Sequence, residues 1–267
     1  MRLHIRFQLE ETAALPIDHN YDLLGLVYRL LATSDEEYAS FLHEEGYREQ
    51  AESAKRSKLF TFSGLRVESS RRRIENGRLL LRPGAVDWLL ASPRDDFLTH
   101  SATGLLSVGS EVRVGAARLR LEMVEALPQP TFAARTKFSC LSPIVAARPC
   151  PDGKTYYLRP TDPLFSEAVR ANLLWKHRLL HGGAAPDDDR LDLEFDSAYL
   201  ADPRHRGGTK LVTFKSIQIV GAFAPFALTG STALMETAWN CGLGEKNSIG
   251  FGMIEHKPAS RTEGDVE

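Results

Sequence analysis

The chain has 267 residues, 43% hydrophobic and 25% charged, and its 33 Lys and Arg nearly balance 35 Asp and Glu for a formal net charge of −2. Ample apolar material excludes intrinsic disorder, and no apolar run approaches the roughly 20 residues that a membrane helix needs. The summed charge argues against nucleic acid as a partner, since a basic domain is the usual footprint of such binding.

Residues 1–9 alternate in polarity and predict a strand where a secretion leader would need an apolar block. A helical region runs from about Tyr21 to Glu45, with Ser34-Asp-Glu-Glu37 reading as a capping box inside it and Gly46 as a stop. Strand patterns follow at Leu59–Leu65 and Arg78–Arg82. A second helix is predicted at Pro83–Leu90, with Pro83 at its N-terminus, and strands at Glu111–Val124 close this half. Leu127-Pro-Gln-Pro130 is the predicted linker. The second half has an apolar stretch at Phe138–Ala146, a turn at Asp152-Gly153, and a strand at Thr155–Arg159. A helix at about Pro163–His181 stops at Gly182-Gly183, and strands follow at Leu191–Phe195 and Lys210–Phe226. A short helix at Ser231–Cys241 and a glycine-punctuated strand at Ile249–Glu255 end the pattern. Each half reads β-α-β-β-α-β, so the expected class is α+β, with two tandem ferredoxin-like domains at 1–127 and 128–257 and a frayed tail at 258–267.

Three cysteines, Cys140, Cys150 and Cys241, form no CxxC pair. This predicts neither a disulfide framework nor a structural zinc site, and places the chain in a reducing cytoplasm. His177 and His181 share one helix face at i, i+4, but HExxH is absent, so a solvated face is expected there and no metal.

Net charge hides its distribution. Arg48 to Arg82 holds ten Lys/Arg against four Glu, or +6, and Pro203 to Met235 holds four basic residues and no acidic ones, or +4. The counterweight is an acidic run around Asp187–Asp189. Local cations govern phosphate binding more than the sum does, so two basic stretches predict one polyanion-facing surface.

The segment Cys241 to Met253 is rich in glycine but lacks the Lys-Ser/Thr of a Walker loop and the third glycine of a dinucleotide fingerprint. It follows a helix and enters a strand. Glycines at Gly242, Gly244, Gly250 and Gly252 permit close approach, and Lys246, Asn247 and Ser248 supply phosphate donors. With Gly242-x-Gly244-Glu-Lys-Asn-Ser-x-Gly250-Phe-Gly252, Asp18-His-Asn-Tyr21, Gly25-Leu-x-Tyr28, Phe41-Leu-His43, Lys58-Leu-Phe-Thr-Phe-Ser63 and Leu141-Ser-Pro-Ile144 in order along the chain, the sequence resembles the CRISPR-associated endoribonucleases that cut repeat RNA into guide RNAs.

The resemblance implies a metal-independent, cofactor-free endonuclease. It would bind CRISPR repeat RNA as a stem-loop and leave a 2′,3′-cyclic phosphate and a 5′-hydroxyl. A homodimer and association with a CRISPR effector complex are implied by analogy. The substrate's own 2′-hydroxyl attacks phosphorus, so the site needs a base, an acid and donors for the phosphorane. His43, at the edge of an apolar helix stripe, is the expected acid or base. The resemblance makes Tyr28 a donor at the scissile phosphate and Lys58 the phosphorane's cation, a place that Lys55 or Arg56 could take because residues 44–57 form a long charged insert. His19 is the reserve acid or base. Expected RNA contacts are Arg71, Arg72 and Arg73, then Arg204, Arg206, Lys210 and Lys215, and Gly244, Lys246, Asn247 and Ser248 in the glycine-rich loop. The competing expectation is a non-catalytic RNA-binding subunit of an effector complex on the same fold.

Overall fold

The computed structural model describes residues 1–50, 55–151 and 153–257, so the expectations for Asp152 and the tail 258–267 lie outside the described residues. Each half is built around an antiparallel sheet. In the first, strands run in the order Thr61–Phe62, Gly84–Ala91, Arg2–Leu9, Ala117–Leu127, with Glu111–Val114 added at the edge. In the second, the order is Leu191–Phe195, Phe226–Gly230, Arg135–Cys140, Ile254–Lys257. Numbered along the chain, the four main strands lie 2-3-1-4 in both halves, the arrangement a split βαβ repeat generates.

Among the described residues six helices fill the connections. They are α1 (Asn20–Ser34), α2 (Glu36–Glu44), α3 (Asp95–Ser107), α4 (Phe165–Leu180), α5 (Ser197–Ala201) and α6 (Thr232–Cys241). Among the described residues none is long and apolar enough to cross a membrane. The helical region expected at Tyr21–Glu45 breaks at Asp35. Its side chain, rather than that of Ser34, caps α2 by accepting from the Tyr38 N–H at 2.8 Å. At the other end Gly46 donates its N–H to the Phe41 carbonyl and stops the helix, as the sequence suggests.

The expected helix at Pro83–Leu90 is a strand, Gly84–Ala91, and the second helix of this half is α3, which the sequence reading missed. Central strands pair on both edges, and from Trp88 onward this one buries both faces, so Trp88 to Ala91 presents a continuous apolar run without period-2 alternation. In α3, Phe97, Leu98, Ser101, Gly104 and Leu105 form the buried stripe, and Asp95 and Asp96 suit its positive N-terminus. Arg78–Leu81 is also displaced from expectation. It pairs with Ala13–Pro16 and Arg72–Glu75 in a separate three-stranded sheet. Likewise Lys210–Phe226 is a hairpin, Thr209–Phe214 with Ile217–Ala222, that precedes the sheet strand Phe226–Gly230.

Helices α1 and α3 cross with little clearance. A Cβ on Gly104 would stand 2.1 Å from the Leu30 carbonyl oxygen. Gly104→Ala is therefore expected to push the helices apart at a cost of about 1–3 kcal/mol, although alanine favours an isolated helix. An unchanged thermal melting curve for this variant would contradict that close approach.

The halves are joined by buried polar bonds as well as packing. Arg2 is 1% exposed, its guanidinium donates to the Trp239 and Ile254 carbonyls, and its Cζ lies 3.2 Å from the Trp239 ring centroid. Thr61 donates to the Phe251 carbonyl, and Asn20 to those of Ile249 and Gly250. These bonds press the glycine-rich segment onto the first half.

Candidate active site and glycine-rich loop

Helix α1 buries Leu23, Leu26, Val27, Leu30 and Leu31, which leaves Tyr28 at the rim of that face, half-buried. Helix α2 packs beside it through Ala39 and Leu42, and the next residue, His43, faces solvent in the last turn. The two rings meet edge to face, with centroids 5.1 Å apart.

Lys58 arrives from the other side. Leu59 takes a left-handed backbone conformation (φ 52°), an uncommon one for leucine, and Leu59, Phe60 and Phe62 all go into the core. The bend leaves Lys58 at the surface of that core. Its Nζ donates to the Tyr28 hydroxyl at 2.6 Å and to the His43 carbonyl at 3.0 Å. The second bond meets one of the unpaired carbonyls that any helix C-terminus leaves. Burial lowers the Lys58 pKa, with the Arg56 charge acting in the same direction, and burial raises that of Tyr28. Tyr28 therefore stays a neutral donor, while Lys58 is a cation with a reduced hold on its proton.

The structure thus brings Tyr28, His43 and Lys58 together, although 30 residues separate Tyr28 from Lys58. They stand beside a cleft of about 620 Å³ between the halves, lined by His43, Lys55, Arg56 and Lys58 on one wall. The other wall is Asn172, Trp175 and Lys176 of α4 with residues 244–248 of the glycine-rich loop. Lys55 sits 4.1 Å from the Trp175 ring centroid.

His19 takes no part in this group. It caps α1 roughly 13 Å along the axis from Tyr28 and is 7% exposed. Nδ1 faces the Pro16 and Ile17 carbonyls, and Nε2 accepts the Leu65 N–H, so the ring is a neutral tautomer whose pKa burial lowers. That geometry makes it a structural link between α1 and the segment after Phe62, in place of the reserve proton carrier expected from the sequence.

The loop itself departs from expectation in a similar way. Gly244 is buried, with the Val145 carbonyl 2.3 Å from where a Cβ would sit, and Asn247 is 8% exposed. Asn247 donates to the Leu243 and Phe251 carbonyls and accepts from Lys176. Both are held inside the cleft wall by the protein's own contacts, and Lys246 is exposed and Ser248 partly so on the same wall.

The basic residues divide into three kinds. Arg71 turns inward, donating to the Ala85 carbonyl and pairing with Glu68, and Arg73 and Arg204 pair with Glu75 and Asp202. Arg72 and Arg206 are exposed. Lys210 lies within electrostatic reach of Arg72, and Lys215 covers the Tyr21 ring, itself edge-on to Phe214. The two basic stretches therefore do meet at the start of α1, while Lys55, Arg56 and Lys58 form a separate group in the cleft. His177 and His181 lie ring to ring with centroids 4.2 Å apart and planes tilted by 35°, and His177 is buried against Thr237, so only His181 lies on the solvated face expected for both. Among the described residues no group of three or more His, Cys, Asp or Glu could hold a metal ion.

Residues 14–125 match the family model described as CRISPR-associated protein Cas6, N-terminal, and residues 127–256 match CRISPR associated protein Cas6, C-terminal. The chain belongs to the Cas6 family. It is 27% identical over 261 residues to the CRISPR-associated endoribonuclease Cas6 1 of Methanocaldococcus jannaschii, covering 95% of this chain and 92% of that protein. The Pyrococcus furiosus CRISPR-associated endoribonuclease Cas6 is 25% identical, over 96% and 89% of the two chains. Among solved structures, a Cas6-related protein from Pyrococcus furiosus superposes with a TM-score of 0.79 at 21% identity, over 97% of this chain and 99% of that one. This last likeness supports the paired ferredoxin-like fold of Cas6 proteins.

Proposed function

We propose that this Cas6-family chain is an endoribonuclease that binds CRISPR repeat RNA and cuts precursor CRISPR RNA without a metal ion. The observation that carries the reading is the convergence of Tyr28, Lys58 and His43 at the mouth of a basic cleft walled by the glycine-rich loop. The relatives named endoribonucleases, matched over nearly their whole length, support the RNA-cutting part of it.

In the proposed reaction a 2′-hydroxyl gives up its proton, its oxygen bonds to the adjacent phosphorus, and the bond from phosphorus to the 5′-oxygen breaks as that oxygen takes a proton. His43 is exposed at the cleft and has a ring able to serve either transfer. Lys58 Nζ and the Tyr28 hydroxyl offer N–H and O–H donors for the non-bridging oxygens, where negative charge grows in the transition state. The nucleophile is tethered to its target, so orientation supplies part of the barrier reduction that a metal hydroxide would otherwise provide.

Incubation with candidate repeat RNAs in EDTA, followed by mapping of both product ends, tests this. The expected result is one cut with a 2′,3′-cyclic phosphate and a 5′-hydroxyl, abolished by a single 2′-deoxy substitution 5′ of the cut. Strict dependence on a divalent ion, or cleavage that survives the 2′-deoxy substitution, contradicts the mechanism. Tight binding without any cleavage favours the non-catalytic RNA-binding subunit instead.

A further inference from the structure

Lys176 is a lysine in the wrong place for a solvated helix. It falls on the buried stripe of α4, seven residues after Val169 and three after Leu173, and is 2% exposed. Buried lysine is uncommon because desolvating the ammonium is costly unless its donors are met. Here all three are met. Nζ donates to the Gly242 carbonyl at 2.8 Å, the Gly244 carbonyl at 2.6 Å and Asn247 Oδ1 at 2.6 Å. The three acceptors span the turn from the end of α6 to the short helical turn at Asn247–Ile249. Among the described residues no carboxylate meets the ammonium at hydrogen-bond distance; the oxygens that hold it are two carbonyls and an amide.

We propose that Lys176 is the positioning residue of the glycine-rich loop, its ammonium gathering Gly242, Gly244 and Asn247 so that the loop presents Lys246 and Ser248 to RNA across the cleft from His43. The proposal rests on the RNA-cutting reading for what the loop binds, but the lock itself is a property of the free protein. An ammonium has three N–H donors for three oxygens. A neutral amine has two and a lone pair, so one oxygen would lose its donor and face that lone pair, and the loop would lose an anchor.

This makes the lock sensitive to pH. Burial pulls Lys176 down to about 8 from 10.5. Cys241 and Glu245 oppose that fall and Lys55 adds to it, while Cys241, itself pushed up to about 12, stays a neutral thiol across this range. The signs of the two consequences differ. Between about 8 and 10.5 the folded chain has released the proton while the unfolded chain still holds it, so this group makes overall stability rise with pH. Anchoring of the loop, which needs the ammonium, is full below about 8 and declines above it. RNA affinity is thus expected to fall over an interval in which this group favours folding.

The test compares wild type, K176R and K176M by hydrogen exchange of the free proteins and by affinity for a 2′-deoxy, uncleavable repeat RNA from pH 7 to 10. K176M is expected to speed exchange at Leu243, Glu245 and Gly252 at least tenfold and to weaken RNA binding by a similar factor. K176R, whose guanidinium does not titrate, is expected to restore much of both and to flatten the alkaline fall in affinity. Thermal melting establishes that each variant folds. If K176M fails to fold, the wild-type and K176R pH profiles decide. Unchanged loop exchange in K176M, or the same alkaline fall in K176R as in wild type, overturns the lock. An absence of cleavage by wild type overturns the endoribonuclease reading alone and leaves the loop measurements to stand or fall on their own.

Discussion

Replacing His43 by alanine is expected to slow single-turnover cleavage of repeat RNA by about 10²–10⁴-fold, the range a positioned proton-transfer group supplies. RNA affinity and melting temperature should stay close to wild type. The side chain is exposed, and the helix around it is held by Leu42, by Asp35 and by the bond from Lys58 to the residue's own carbonyl, all of which survive the change. Lys58→Ala is a deliberately different case. It deletes the donor at the Tyr28 hydroxyl and the tie to α2 together, so both rate and local order of the α2 terminus should suffer. A His43→Ala protein that cuts within a few-fold of the wild-type rate would remove His43 from the chemistry and leave Lys58 and Tyr28 to be explained as structure.

The largest expected effect on stability lies far from that site. Arg2→Ala removes three donations, two to the Trp239 carbonyl and one to that of Ile254, and strips the covering cation from the Trp239 ring. Each carbonyl stranded without a partner costs about 1–3 kcal/mol, and the cavity adds to this. A net loss of about 3–5 kcal/mol would lower the melting temperature by roughly 6–15 °C in a chain of this size. Calorimetry checks it, and a shift below about 2 °C would show that solvent or neighbouring groups satisfy those carbonyls. Lysine at position 2 should recover only part of the loss, because an ammonium cannot stack flat on the indole while reaching both carbonyls.

The second half of the chain was the more legible. Leu191–Phe195, the Ser231 cap of α6 and the glycine stop of α4 are marked by local chemistry: alternation, a hydroxyl before an apolar stripe, paired glycines. The first half misled where tertiary context outweighs local signals. Pro83 ahead of a mostly apolar segment reads as a helix start, yet the segment is a central strand whose two faces are both covered from Trp88 onward. His43 and Lys58 could be singled out in the sequence, but their meeting depends on the bend at Leu59, which no residue type announces. Lys176 stands at an apolar stripe position of α4, but lysine on a helix is so common that its residue type alone carries no signal of burial. Asn247 and Gly244 were assigned to a ligand by residue type, whereas their polar atoms and empty space are already used by the protein.

The bonds from Arg2 to residues 239 and 254 also set a timetable for synthesis. At about 5–20 residues per second, roughly 13–50 s separate the making of residue 2 from that of residue 254. Until the end of that interval Arg2 lacks the full set of carbonyls that hold it in the finished protein, although Tyr28, His43 and Lys58 are made early in it. The loop part of the opposite wall, with Lys246 and Ser248, is made well after the α4 part. A nascent chain therefore carries the proposed chemical groups long before it can grip a substrate, and competence arrives late, with the strand that completes the second sheet.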